Sequence, residues 1–106
     1  MSKMPRRYEV LLPARFNDGR PVPDEIIGST LTELRQRFRS LSTETQLTRG
    51  LWEFEGTVYE DQLIRVYVDV EDTPQNRKFF EEYKVVLKDR FEQLDIWLTT
   101  YPVEAL

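Results

Sequence analysis

The chain has 106 residues, no cysteine and no histidine, and its 15 basic and 19 acidic side chains leave a net charge of −4. That length fits a single domain over residues 1–106, with 1–6 expected as a flexible lead-in. The missing residues exclude a disulfide framework, a thiolate nucleophile, a zinc finger, a Ser-His-Asp triad and an imidazole acid–base group. Carboxylate, Lys, Arg, Tyr and hydroxyl remain for chemistry, and the sequence assigns no catalytic residue, metal or cofactor.

Apolar residues make up 40% and charged residues 32%, the mixture of a folded domain. No apolar run approaches the ~18 residues of a membrane span, and no signal-peptide pattern opens the chain. The expectation is a cytoplasmic protein with no membrane partner. A pI near 4.9 argues against general nucleic-acid binding. Eleven of the bases are Arg, which favours bidentate pairing with carboxylates.

In chain order, Tyr8 to Leu12 reads as a short strand ended by Pro13, and residues 13–23 as a loop with Asn17-Asp18-Gly19 turn chemistry. A helix runs from Asp24 to about Arg39, with Ile27, Leu31, Leu34 and Phe38 on one stripe. Residues 43–54 are β-tolerant and Glu55-Gly56 is a hairpin turn. Gln62 to Val70 is the clearest strand, with Ile64, Val66, Val68 and Val70 in one parity. Asp72-Thr73-Pro74 supplies a helix N-cap and a first-turn proline. The second helix, to about Glu92, carries Phe80, Tyr83, Leu87 and Phe91 on its stripe. Asp95 to Tyr101 is the last strand.

This order, β-α-β-β-α-β, predicts an α+β ferredoxin-like fold: a four-stranded antiparallel sheet with two helices on one face. Parity then assigns the faces. Under the helices go Tyr8, Val10, Leu12, Trp52, Phe54, the valine-rich parity of 64–70, Ile96 and Leu98. The opposite face receives Glu9 and Leu11, then Leu47, Arg49 and Leu51, then Leu63, Arg65, Tyr67 and Asp69, then Trp97, Thr99 and Tyr101. An apolar and aromatic face of this kind marks a binding surface.

Three coverings are open for it. One is a second copy, giving a homodimer with a cavity in which Arg49, Arg65, Glu9 and Asp69 pair with one another or with a ligand. Another is a different protein. The third is a single-stranded nucleic acid stacked on Tyr67, Trp97 and Tyr101, which the net charge disfavours. An enzyme version has Arg49 and Arg65 fixing an anion while Glu9 or Asp69 moves a proton.

Near the hairpin, an unbroken strand from Val58 would turn Glu60 and Gln62 toward the helix layer. Either a bulge restores them to solvent or the strand outruns the helices. Tyr59, Glu60 and Asp61, near Trp52, form a candidate hard-cation or acid–base group. Arg15 and Arg20 flank a tight turn as a candidate anion nest.

Phe16-Asn-Asp-Gly19, Arg37-Phe38, Gly50-Leu-Trp52 and Arg90-Phe91-Glu-Gln93, taken together, resemble a family of small bacterial proteins classed as a domain of unknown function. The resemblance implies the α+β layout and draws attention to Trp52, Glu60 and Gln93, without an activity to transfer. The layout is also similar to dimeric α+β barrel proteins, some of them oxygenases, although this chain has no histidine to hold a haem.

Overall fold

β1 (Arg6–Pro13) and the second half of β4 (Thr57–Val70) form the centre of the sheet in the computed structural model, which describes residues 4–106. They run antiparallel, with Tyr8 opposite Val68, Val10 opposite Val66 and Leu12 opposite Ile64. β5 (Leu98–Pro102) flanks β1, with Leu98 opposite Val10. Leu63 meets Pro13 on one side and Thr48 on the other, so β3 (Thr48–Phe54) lies across β4 from β1. β2 (Ser42–Thr43) pairs with β4 at Tyr67 and Val66.

The open, antiparallel sheet therefore has five strands, ordered β2-β4-β1-β5 with β3 also on β4. The expected single strand over 43–54 is broken. Thr43 faces Val66 and Thr48 faces Leu63, so this side takes five steps where β4 takes three. The surplus loops out between β2 and β3.

α1 (Asp24–Phe38) and α2 (Pro74–Arg90) pack on the same face of the sheet. Leu34, Phe80, Tyr83 and Leu87 meet Tyr8, Val10, Leu12, Val66 and Val68 in one core, and Tyr8 stacks on Phe80 at 4.1 Å. Leu87 and Phe91 are completely buried. The valine parity of β4 and the stripe of α2 are where the sequence placed them.

The helix ends differ in detail. Thr73, not Asp72, caps α2, its hydroxyl accepting from the Asn76 N–H at 3.1 Å. Asp72 instead pairs with Arg6 at 3.1 Å. Asp24 lies inside the first turn of α1, where a carboxylate suits the helix dipole, and Arg39 closes that helix at φ 65°. Of the expected flexible lead-in, residues 1–3 lie outside the described residues, Pro5 is buried and Arg6 begins β1.

β4 has 14 residues and runs without interruption, which decides the question at Glu60: the strand outruns the helices and no bulge forms. Its first half and β3 make a two-stranded arm beyond the helix layer. Glu55 and Gly56 join them at φ 50° and 78°, the two positive angles of a primed hairpin turn, which a glycine adopts without strain. The arm lengthens the molecule to 44 × 30 × 25 Å, with a radius of gyration of 14.6 Å. A globular chain of this length would give about 13 Å.

The turn also fixes the register of β3, and here the sequence-based faces need correction. Trp52 lies opposite Tyr59, in the parity of Tyr67, while Arg49 and Leu51 share the parity of Gln62 and Glu60. Trp52 and Phe54 are therefore not beneath the helices; both are exposed. Parity alone puts them there, but the register of β3 against β4 is the other one, and on the arm no helix covers either face.

Candidate functional site

Alternation on β1, β4 and β5 turns Arg7, Glu9, Arg65, Tyr67, Asp69 and Tyr101 to the face away from the helices. Their charges neutralise one another. Arg7 binds Asp69 in bidentate fashion, Nε–Oδ1 at 2.7 Å and Nη2–Oδ2 at 2.9 Å. Arg65 reaches Glu9 Oε1 at 2.6 Å and Glu44 Oε1 at 2.8 Å. The Tyr101 hydroxyl approaches Glu9 at 3.4 Å. The Tyr67 ring has both guanidinium carbons, of Arg7 and Arg65, 4.4 Å from its centroid. The hydrogen bond to Asp69 raises the pKa of Arg7, and the bond to Glu9 does the same for Arg65.

This network corrects two expectations. Glu9 and Asp69 are locked to arginines, so neither is placed to move a proton. Tyr67 carries the guanidinium groups of Arg7 and Arg65 against its ring and Trp97 lines a separate groove, so Tyr67, Trp97 and Tyr101 do not form one stacking platform for a strand of bases. Arg49 stands apart from Arg65, on the arm, with Nε 2.7 Å from Glu60 Oε1. Arg7 and Glu44 complete the network without having been singled out from the sequence. Arg7 sits in a basic N-terminal run, and Glu44 lies in the surplus between two strands, so neither carried a periodic signal.

The other expected residues converge elsewhere. Between the arm and the loops around Phe16 and Leu94 opens a groove of about 1060 Å³, with Trp52, Glu60, Gln93 and Trp97 on its walls. Tyr59, Asp61 and Asp95 join them. Trp52 stacks on Tyr59 at 4.5 Å and donates its indole N–H to Asp61 Oδ2 at 2.8 Å. Trp97 is 65% exposed. A hydrogen bond from Lys84 lowers the pKa of Asp95. Leu11, Pro13 and Leu63 add apolar lining.

The anion-nest expectation is not met, because Arg15 bonds the Gly19 carbonyl at 2.9 Å and Arg20 pairs with Asp18. Among the described residues, no group of three carboxylates gathers as ligands for a cation, and no helix is long and apolar enough to cross a membrane. The groove thus offers aromatic faces and the Asp61 carboxylate, whose partner is the uncharged Trp52 indole, while Asp95 is paired with Lys84 and Arg15 also lines the opening. Such walls suit a flat ligand that carries hydroxyls or a positive charge.

No protein-family model matches this chain, and no curated protein matches it. Solved structures do. A phage SAM lyase in complex with S-methyl-5′-thioadenosine superposes with a TM-score of 0.66 over 95% of this chain and 90% of that one, at 11% sequence identity. A phage SAM lyase in its apo state gives a TM-score of 0.64 over 99% and 93%, at 12% identity. At such low identity the likeness establishes a shared α+β fold.

Proposed function

We propose that this protein binds a small ligand in the arm groove, and that the ligand is an adenosyl thioether or sulfonium. The observation that carries the reading is the convergence of Trp52, Tyr59 and Trp97 with Asp61 and Asp95 around one opening. A purine would stack on the indoles. Ribose hydroxyls would donate to carboxylates, each of which has about four acceptor sites. A sulfonium would sit over an aromatic face beside negative charge. The likeness to a lyase bound to S-methyl-5′-thioadenosine supports the nucleoside part.

On this reading β2 and β3 count as one interrupted strand, and the four-stranded ferredoxin-like βαββαβ order expected from the sequence is kept as part of the proposal. An enzyme acting on the same ligand is the second reading, favoured by the neighbours' name alone. It would use the groove carboxylates, because Glu9 and Asp69 are committed to Arg65 and Arg7.

The chain has two tryptophans, and both line the groove, so its intrinsic fluorescence reports directly on the site. Titration with S-adenosylmethionine and with S-methyl-5′-thioadenosine should change the emission saturably, and the cation should bind more tightly. Chromatography of the same mixtures over time reads any cleavage of S-adenosylmethionine. Unchanged emission with both compounds up to about 1 mM, a free energy of ~4 kcal/mol, would remove the reading.

A further inference from the structure

β3 forms an outer margin of the sheet, and among the described residues its far side has no strand partner. The two-residue turn makes Phe54 and Thr57 a hydrogen-bonded pair, so alternation aims the backbone N–H and C=O of Arg49, Leu51 and Glu53 away from β4. Open edges are ordinarily blunted by proline, lysine or a bulge. β5, at the opposite margin, ends in Pro102; Thr48–Phe54 has no proline, lysine or bulge, and its two charges, Arg49 and Glu53, are of opposite sign.

The arm is also apolar on both faces. Leu47, Leu51, Trp52, Phe54, Val58 and Tyr59 are between 42% and 66% exposed. Together they leave on the order of 500 Å² of apolar surface in water. Edge pairing would cover the part of this surface that β3 itself carries, at Leu51, Trp52 and Phe54, together with the backbone edge.

We propose that a second copy of this chain pairs with β3 edge to edge, antiparallel, about a two-fold axis through Leu51. The proposal does not depend on the ligand reading. Strand β3 reads Arg49-Gly50-Leu51-Trp52-Glu53, with opposite charges equally spaced about Leu51. In this register Arg49 of each copy faces Glu53 of the other, and Leu51 meets its own counterpart. Trp52 falls opposite the other copy's Gly50, which brings no side chain of its own to the pair, although Leu63 packs over it. Sliding the axis by one residue sets Leu51 against Arg49 or against Glu53, so the charge pattern selects a single register. Glu60, already paired with Arg49, lies on the same face, so Arg49 would sit between two carboxylates. The sheets of two copies would then be continuous, and the open face with its ion pairs would stay uncovered.

Light scattering at about 100 µM should find the wild type at twice the monomer mass. Arg49→Glu alone and Glu53→Arg alone should each shift it to the monomer, because like charges then face each other in both halves. An equimolar mixture of the two variants should return to the dimer mass, since every cross-copy pair is again opposite in sign. Circular dichroism of each variant checks that it is folded. Leu51→Cys supplies the only thiol in the chain, about 5.5 Å from its counterpart across a bonded pair, so mild oxidation should trap a covalent dimer. A monomeric wild type would overturn the proposal. So would a dimer that survives both charge variants but dissociates in Trp97→Asp, which would place the contact on the open sheet face.

Discussion

Trp52 and Asp61 are joined across the arm by an indole N–H to carboxylate hydrogen bond of 2.8 Å, so an aromatic wall and a negative charge are set as one unit. Trp52→Phe keeps a ring against Tyr59 but gives up this bond. On so exposed an arm the change in stability should stay within ~0.5 kcal/mol, as thermal unfolding would report. Asp61→Asn should weaken S-adenosylmethionine by about tenfold, ~1.4 kcal/mol, and S-methyl-5′-thioadenosine far less. Fluorescence titration measures both; equal loss for the two ligands would argue against a cation beside Asp61.

Two helices share another fixed unit. Arg90 grips Glu33 with Nη1–Oε2 at 2.8 Å and Nη2–Oε1 at 2.9 Å, and the Tyr83 hydroxyl donates to the same carboxylate at 2.7 Å. Arg90 first, then Tyr83, lowers the pKa of Glu33. A carboxyl with a depressed folded pKa contributes stability that is present above its unfolded value, near ~4.3, and is lost as pH falls through the folded value. Glu33→Gln should therefore flatten the acid side of the stability profile below about pH 4. Urea midpoints measured from pH 7 to pH 3 read the slope.

Tyr83 acts at the other end of the scale. Burial, then its bond to Glu33, pushes the phenol pKa above the ordinary value. A raised folded pKa gives stability that is complete below the unfolded value, near ~10, and declines as pH climbs beyond it. Tyr83→Phe should remove that alkaline decline, although it also deprives Glu33 of a donor. If the variant and the wild type lose stability in parallel above about pH 10, Tyr83 is not the group responsible.

The ion pairs on the sheet separate by burial. Arg65 and Glu9 have side chains 24% and 18% exposed, while Arg49 and Glu60 are 68% and 47% exposed. Removing Arg65 strands Glu9 in a half-buried place and takes one guanidinium from Tyr67, so Arg65→Ala should lower stability by ~1–3 kcal/mol. Arg49→Ala should change it by less than ~1 kcal/mol. Chemical denaturation of the two variants in monomeric conditions gives the comparison.

The elements with a long, regular pattern were legible in the sequence. The valines of β4, the stripe from Phe80 to Leu87 and the α+β layout all follow from periods of two and near 3.6 residues. What failed was parity carried onto a strand whose register the sequence does not fix. Parity assigns Trp52 and Phe54 to the helix-covered face, yet the turn at Glu55-Gly56 sets the opposite register and places them on an arm that no helix reaches. The candidate residues then divided into two groups. Glu9, Arg65, Tyr67, Asp69 and Tyr101 form a self-satisfied network, because strand partners bring their charges within bonding distance. Trp52, Glu60, Gln93 and Trp97 come together only when two loops fold against the arm, a relation that no local spacing encodes.

The arm is anchored to the body at one end, and this predicts an uneven clock for hydrogen exchange. Amides of the body, on β1 and the second half of β4, open only when the core gives way. Those near Glu55-Gly56 need only fray from the tip, so deuterium should enter the hairpin from the turn inward, long before it reaches Val66. The outward N–H groups of Arg49, Leu51 and Glu53 would exchange as freely as solvent allows in a lone chain and slow sharply once another strand lies beside them. Residue-resolved exchange at two protein concentrations would show the arm passing from the most labile part of the molecule to one of its protected parts.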